Sequence, residues 1–426
     1  GLTLLKKNGV KVAIVEKSNF SEHRIGESLS PGVRSLLEYL KVWDRFSEEQ
    51  TRQTCGTEGA WASDELYSFD FLFTIHGSGW TLDRNKFDQM LFSEFQRMGG
   101  HTFEGASFAN AAREKDGWRV FLKDSSGKEG FVKARYVIDA TGRKSLFAKS
   151  LGVNRIVYDR LVGVAMLGQL NESHNFSGNI MVEACEYGWW YSSAVPGAKV
   201  IAVLMSDSDI IHDLNARKGA EWKQLMAKTK HTFRRVAEVD FSGEPMLYAA
   251  NSSVLSEAHG DSWLAVGDAA ASHDPLSSSG IPHALGSGIQ GAIVALDSLF
   301  QKGQAQLNYT SGIHADFNQY CKTHWNYYSQ VKRWPESVFW RRRNTPIAID
   351  PNAMVTAKSE LGSVQKIKIA HLPVAAASNL LDCSKVGNKV HDAISAFRAS
   401  HPQFPDQKVI LGFQELVEGE LIQIAR

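Results

Sequence analysis

The stretch that most restricts the fold is Trp263-Leu264-Ala265-Val266-Gly267-Asp268-Ala269-Ala270, followed by Asp274-Pro275-Leu276-Ser277-Ser278-Ser279-Gly280. An apolar run closes on a glycine and an acid, small residues follow, and Gly280 to Leu296 reads as a helix. A strand, tight turn and helix in this order bring a ligand up to backbone amides at a helix N-terminus, where negative charge is stabilised. Gly267 and Gly280 permit close approach, and the Asp268 carboxylate can accept hydrogen bonds. Gly-Asp-Ala-Ala as a plain turn between core elements is the alternative, and the complete strand, turn and helix weighs against it.

The start of the chain carries a second signal. Gly1 to Gly9 reads as the end of a helix and Val12-Ala13-Ile14-Val15-Glu16 as an apolar strand closed by an acid. This is the pattern of the second strand of a dinucleotide-binding unit, whose terminal acid accepts hydrogen bonds from a ribose. The glycine fingerprint that precedes such a strand is expected directly upstream of Gly1. Glu16 alone is equally compatible with an ordinary surface acid. Arg24-Ile25-Gly26-Glu27-Ser28 precedes a helix-like Val33 to Leu40, either as a site for phosphate or ring oxygens at a positive helix end or as a loop and cap. Leu82-Asp83-Arg84 introduces an amphipathic helix with Phe87, Leu91 and Phe95 on one face and Asp83 as its cap. Val120–Leu122 and Phe131–Ala134 form a hairpin around Asp124-Ser125-Ser126-Gly127. Arg135–Ile138 is a buried strand ending in the small-residue turn Asp139-Ala140-Thr141-Gly142.

Between residues 157 and 205 the pattern changes to alternating runs, Val162–Leu167, Ile180–Val182 and Val200–Leu204, which predict antiparallel strands. Within them, Gly188-Trp189-Trp190-Tyr191 puts Trp189 and Tyr191 on one face and Trp190 on the other. One ring is core, and the opposite face is a candidate substrate wall. His324 to Tyr328 and Arg333 to Arg343 mix aromatics with arginines. With 47 basic against 46 acidic residues and a formal charge of +1, a helical packing stripe is favoured over a nucleic-acid track. A polar connector around Asp350, Pro351 and Asn352 leads to a small C-terminal region, in which Val409–Phe413 and Leu421–Ile424 are expected to pair as strands.

Other chemistries find little support. His273 and His283 flank the serine turn without a metal-binding spacing, so no metal is expected. Ser277 to Ser279 lack a hydrolase elbow. The four cysteines include no CxxC pair, which favours a reducing, cytoplasmic setting over a disulfide scaffold. No apolar run reaches the ~18–20 residues of a membrane span.

Taken together, Glu16, Gly26-Glu27-Ser28, Leu82-Asp83-Arg84, Asp139-Ala140-Thr141-Gly142 and Gly267-Asp268-Ala269-Ala270 resemble the FAD-dependent monooxygenase superfamily, in the subgroup that includes tryptophan halogenases. The resemblance covers at least residues 1–343. It implies an α/β fold plus antiparallel sheet of the p-hydroxybenzoate-hydroxylase-like FAD-binding type with an inserted substrate lobe. The corresponding division is 1–156 for FAD-binding segments and part of the lobe, 157–260 for the lobe, 261–349 for the FAD-binding return and 350–426 for the C-terminal region. It also implies that FAD is held by Glu16, Arg24, Glu27, Ser28, Arg84, Gly142, Gly267, Asp268, Pro275, Ser279 and Gly280, with Trp189, Tyr191, His273, Ser277 and Ser278 at the reacting end.

Halogenation fits poorly. Where halogenases carry a WxWxIP segment, this chain has Tyr191-Ser192-Ser193-Ala194-Val195-Pro196. Ser277 stands where they have a glutamate, and residues 54–85, which should supply their pocket lysine, contain no Lys. The chain is more similar to the LodB/GoxB group, flavoproteins that act on precursors of quinoprotein lysine or glycine oxidases. That resemblance implies oxygenation of a precursor tryptophan by reduced FAD and O2 during cysteine tryptophylquinone formation. The electron donor is left open between NAD(P)H, a flavin reductase and another source, because no second dinucleotide domain is visible. A small-molecule aromatic monooxygenase or halogenase, and an FAD-fold maturation chaperone for the same partner, are the competing readings.

Overall fold

The computed structural model describes all residues except 22–23, 50–51, 72–76, 171–175, 301–303, 345–352, 358–363, 368, 385–387 and 426. The connector residues Asp350, Pro351 and Asn352 therefore lie outside the described residues.

The first part of the fold is built on two pairs of short parallel strands. Ala13–Glu16 pairs in parallel with His101–Glu104, and Val137–Asp139 pairs in parallel with Trp263–Ala265. A three-stranded antiparallel sheet of Ala106–Glu114, Gly117–Asp124 and Glu129–Ala134 contains the expected hairpin. The Arg84–Arg97 helix starts as its sequence dictates: the Asp83 carboxylate accepts from the amides of Asn85 and Lys86, and Phe87, Met90 and Phe95 are buried on one face.

Gly280–Phe300 forms a helix that lies against the Trp263–Ala265 strand region. Their closeness depends on Gly291, where a Cβ would stand 2.5 Å from Val266 Cγ1 and 3.0 Å from Leu264 Cδ1. Gly291→Val is expected to destabilise the protein by about 1–3 kcal/mol through overpacking. Denaturant unfolding checks this, and an unchanged midpoint would show that helix and strand can separate freely.

The second lobe is a seven-stranded sheet in the order Met246–Ala249, Leu161–Gln169, Lys199–Asp207, Gly188–Val195, Ile180–Cys185, Gly56–Ala60 and Tyr67–Asp70. All neighbours are antiparallel except Ile180–Cys185 with Gly56–Ala60, which run parallel. The alternation read from the sequence holds. Trp190 packs in one core with Trp222, ring centroids 4.9 Å apart, while Trp189 packs on the other face with Trp61, Tyr328, Phe339 and Trp340. That second face is covered by the end of the Tyr309–Tyr328 helix and by the Val338–Asn344 helix, which confirms the packing stripe in the aromatic and basic tail.

The C-terminal region has its own core and corrects one expectation. Val409–Phe413 lies inside the Asp406–Glu418 helix rather than in a strand. Val409, Phe413 and Leu416 are fully buried, a helical spacing that a five-residue apolar run does not reveal by itself. The strand Ile422–Ala425 instead pairs antiparallel with Met354–Ala357. The Val374–Cys383 and Val390–Ser400 helices complete this layer.

Candidate active site

The first group of polar residues forms around the end of the Ala13–Glu16 strand. The Glu16 carboxylate accepts from the Ser18 amide at 2.8 Å and lies 3.3 Å from Arg24 Nη2. Arg24 also donates to Asp88 at 2.8 Å, and Arg84 reaches Asp88 at 3.2 Å and the Ile25 carbonyl at 3.0 Å. Asp88 thus ties two arginines from different elements together. Gly26 has φ +106°, and a Cβ there would stand 2.6 Å from Arg84 Nη1, so the glycine is required both for its backbone and to admit the guanidinium. Beside this network a cavity of about 330 Å³ is lined by Glu16, Phe20, Arg24, Asp88, Leu285 and Gly288. Glu27 is buried, its carbonyl accepting from the Leu82 amide at 2.7 Å, and Ser28 pairs with Thr81.

The second group forms where the Val137–Asp139 and Trp263–Ala265 strands end side by side. Asp139 is consumed by its own turn, accepting from Thr141 Oγ1 at 2.6 Å, the Thr141 amide at 3.0 Å and the Ala148 amide at 2.9 Å. Gly142 is followed by Arg143, which donates to the His273 carbonyl at 2.8 Å and lies 3.5 Å from the half-exposed Asp268 carboxylate. Arg155 donates to the carbonyls of Asp268 at 2.8 Å and Ala269 at 2.6 Å and to Ser145 Oγ at 2.6 Å. Burial lowers the Arg155 guanidinium to about 10, opposed by the Asp268 charge. Two arginines therefore hold the Gly267–His273 segment from below and leave Asp268 partly open. Sequence reading missed both: Arg143 directly follows the small-residue turn and was within reach, but Arg155 sits in a three-residue strand with no local signal.

Gly267 donates its amide to Ser287 Oγ at 2.8 Å, and Ser277 Oγ donates to the Asp274 carbonyl at 2.9 Å and contacts Ser279 Oγ at 2.7 Å. Neither Ser277 nor Ser278 has a basic hydrogen-bond partner among the described residues, so no nucleophile is assembled there. His273 stacks on Tyr320 at 4.2 Å and sits 4.5 Å from the His283 ring. Burial, then His283 and Arg143, push His273 down to about 3, so it is a neutral ring at ordinary pH. Pro275 is exposed on this turn, and Gly280 opens the long helix.

On the seven-stranded sheet the two rings of the aromatic segment separate in role. Trp189 is 1% exposed and donates Nε1 to Tyr328 Oη at 2.8 Å, which makes it core. Tyr191 is half-buried and, with Tyr248, Ile25 and Leu276, packs at the margin of the same cluster. Burial pushes the Tyr191 hydroxyl well above its usual range, with the Glu27 charge adding to it. The sheet face, Ile25 and Leu276 of the Asp274–Ser279 turn therefore all pack, half-buried, on the same aromatic core.

These features suit FAD: a strand-end acid beside a cavity, a glycine-dependent arginine, an open Asp268 and the amide-bearing start of a long helix. Comparison with known proteins agrees. The FAD binding domain family matches residues 2–293. The chain is 30% identical over 346 residues to LodB of Marinomonas mediterranea, described as an FAD-dependent oxidoreductase, spanning 80% of this chain and 92% of LodB. The flavin-dependent halogenase CmlS superposes with a TM-score of 0.73 at 20% identity, covering 98% of this chain and 74% of CmlS. QhpG, a peptidyl tryptophan dihydroxylase essential for tryptophylquinone cofactor biogenesis, superposes with a TM-score of 0.61 at 17% identity, covering 99% and 96%. Among the described residues no helix is long and apolar enough to cross a membrane. With its fold, its cofactor-side framework and its sequence all in agreement, the chain belongs to the FAD binding domain family and is an FAD-dependent oxidoreductase of the halogenase-like kind.

Proposed function

We propose that this protein oxygenates a tryptophan side chain in a quinoprotein oxidase precursor, on the way to a cysteine tryptophylquinone. The observation that carries this reading is that Tyr191, Tyr248, Ile25 and Leu276 of the Pro275–Ser279 turn are half-buried on one aromatic core, which would offer an indole apolar and aromatic contact. The activity of QhpG and the similarity to LodB support it.

Bound reduced FAD supplies the activation of oxygen. The chain supplies position. Glu16, Arg24 and Arg84 would hold the nucleotide end, with Glu27 and Ser28 in the adjoining loop. Asp268, Gly142, Gly267, Pro275, Ser279 and Gly280 would frame the flavin end. Tyr191 would orient the indole, with Trp189 as its packed support. Neutral His273 and the serines at 277 and 278 would shape the pocket without titrating. Ser277 in place of a carboxylate, and a stretch 54–85 without Lys, leave no amine to carry an oxidised halogen.

Incubation of the unmodified precursor with the protein, reduced FAD and O2 is expected to add oxygen to one precursor tryptophan, read by mass spectrometry with controls lacking flavin or oxygen. The same mixture given halide and free tryptophan is expected to form no halotryptophan. Efficient halogenation would overturn the reading, and binding of the precursor with no mass gain would favour a chaperone.

A further inference from the structure

Asp274 is a fully buried carboxylate at the start of the flavin-side turn, and its partners come from far along the chain. Its Oδ1 accepts from the Leu276 amide at 2.8 Å, which caps the turn. Its Oδ2 accepts from Tyr328 Oη at 2.6 Å and lies 3.0 Å from His324 Nε2. The Asp274 amide donates to Tyr320 Oη at 2.7 Å. Tyr320, His324 and Tyr328 recur every four residues on the Tyr309–Tyr328 helix and so share one face. His324 stacks on Tyr328 at 4.4 Å, and Tyr328 Oη also accepts from Trp189 of the substrate sheet at 2.8 Å.

Capping the turn needs only one carboxylate oxygen. The second is held by two donors from another element, and a charge this deeply buried persists only when so compensated. Burial alone would raise the Asp274 carboxyl, but the His324 and Tyr328 bonds, with the Leu276 amide, hold it below the usual carboxylate range. The turn therefore carries a fixed negative charge whose strength is set by Tyr328 and His324.

We propose that Tyr328 and His324 are positioning residues that fix the Asp274 carboxylate and screen its charge, and so set how much more tightly the protein holds reduced than oxidised FAD. This rests on the reading that places the flavin beside Pro275–Gly280, but not on the identity of the substrate. Reduction adds electron density to the flavin, so an unscreened carboxylate nearby disfavours the reduced form.

The test is an anaerobic redox titration of the FAD-loaded full chain, with no substrate present. Taken singly, Tyr328→Phe and His324→Leu each leave the other donor on Oδ2 and the Leu276 amide on Oδ1, so the carboxylate stays ionised but less screened, and each is expected to lower the ratio of reduced to oxidised FAD affinity by about tenfold, or ~30 mV for a two-electron couple. Asp274→Asn keeps an acceptor for the Leu276 amide but removes the charge, and is expected to raise the ratio. His324→Gln, which can still donate, is expected to restore a value near that of the unsubstituted protein. A merely structural role predicts the same direction for Tyr328→Phe and Asp274→Asn. Shifts of one sign, or none above threefold, would overturn the proposal. If Tyr328→Phe does not fold, Asp274→Asn with the His324→Leu and His324→Gln pair decides the same point. Protein that shows these shifts yet oxygenates no tryptophan would sink only the proposed substrate.

Discussion

Arg343→Met is expected to cost up to about 3 kcal/mol of folding stability, because it removes the buried partner of the Asp207 carboxylate and leaves it only the partly exposed Arg342 at 2.7 Å. Arg343 donates Nη2 to Asp207 Oδ1 at 2.7 Å, and the two side chains are 7% and 2% exposed. The guanidinium also lies 3.7 Å from the Phe339 ring centroid and 5.2 Å from that of Tyr328. Replacing both partners, as Arg343→Met with Asp207→Leu, is expected to return much of the loss, since apolar pairs often match buried ion pairs. Denaturant unfolding of the two single variants and the double variant checks this, and strictly additive losses would count against it. The pair also gives acid sensitivity a definite sign. Burial pushes the Asp207 carboxyl up, but Arg343 and Arg342 outweigh it and hold the group below its ordinary value. Its contribution is therefore fully present above the unfolded carboxylate value of about 4 and is lost as pH falls through the lower folded value. Asp207→Asn is expected to flatten stability against pH in that acid window.

FAD affinity of Arg155→Met is expected to fall tenfold or more. The Asp268 carbonyl loses its charged donor and Ala269 keeps only the Ser145 hydroxyl, so the segment is no longer held in place for the cofactor, and a displacement that costs about 1.4 kcal/mol of binding is tenfold in affinity. Arg155→Lys keeps charge but not the fork, in which Nη2 serves the two carbonyls and Ser145 while Nη1 donates to Ser253, so only part of the affinity returns. Fluorimetric titration of flavin-free protein with FAD measures both, and an unchanged dissociation constant in the Met variant would remove Arg155 from the cofactor framework.

Arg155 marks where sequence reading stops. The Asp83 cap, the two faces of the Trp189–Tyr191 segment and the strand, turn and helix at Trp263–Phe300 were legible because each is decided by neighbours within a few residues. Arg155 acquires its partners, and Asp274 the donors to its second oxygen, only through tertiary placement, so no local pattern announces those pairings. His324 and Tyr328 stood out as part of an aromatic tail, yet their shared carboxylate lies on a different element. The Val409–Phe413 run was misread for the opposite reason: it is too short for its period to be visible, and the helical spacing appears only when Leu416 is included.

The parallel pairing of Gly56–Ala60 with Ile180–Cys185 governs how the chain reaches its native state. The seven-stranded sheet cannot be completed by the alternating region alone, since two of its strands are made much earlier in the chain. Val137–Asp139 and Trp263–Ala265 likewise meet only after everything between them has been gathered in. Contacts of such long sequence separation must meet the entropy of loop closure before they yield any stabilisation, which slows folding. The seven-stranded sheet and the Val137–Asp139 with Trp263–Ala265 pairing should therefore mature in one late, cooperative step, and an excised 157–260 fragment, lacking two strands of its own sheet, should emerge from synthesis as a collapsed chain with an unpaired edge rather than as a small working domain.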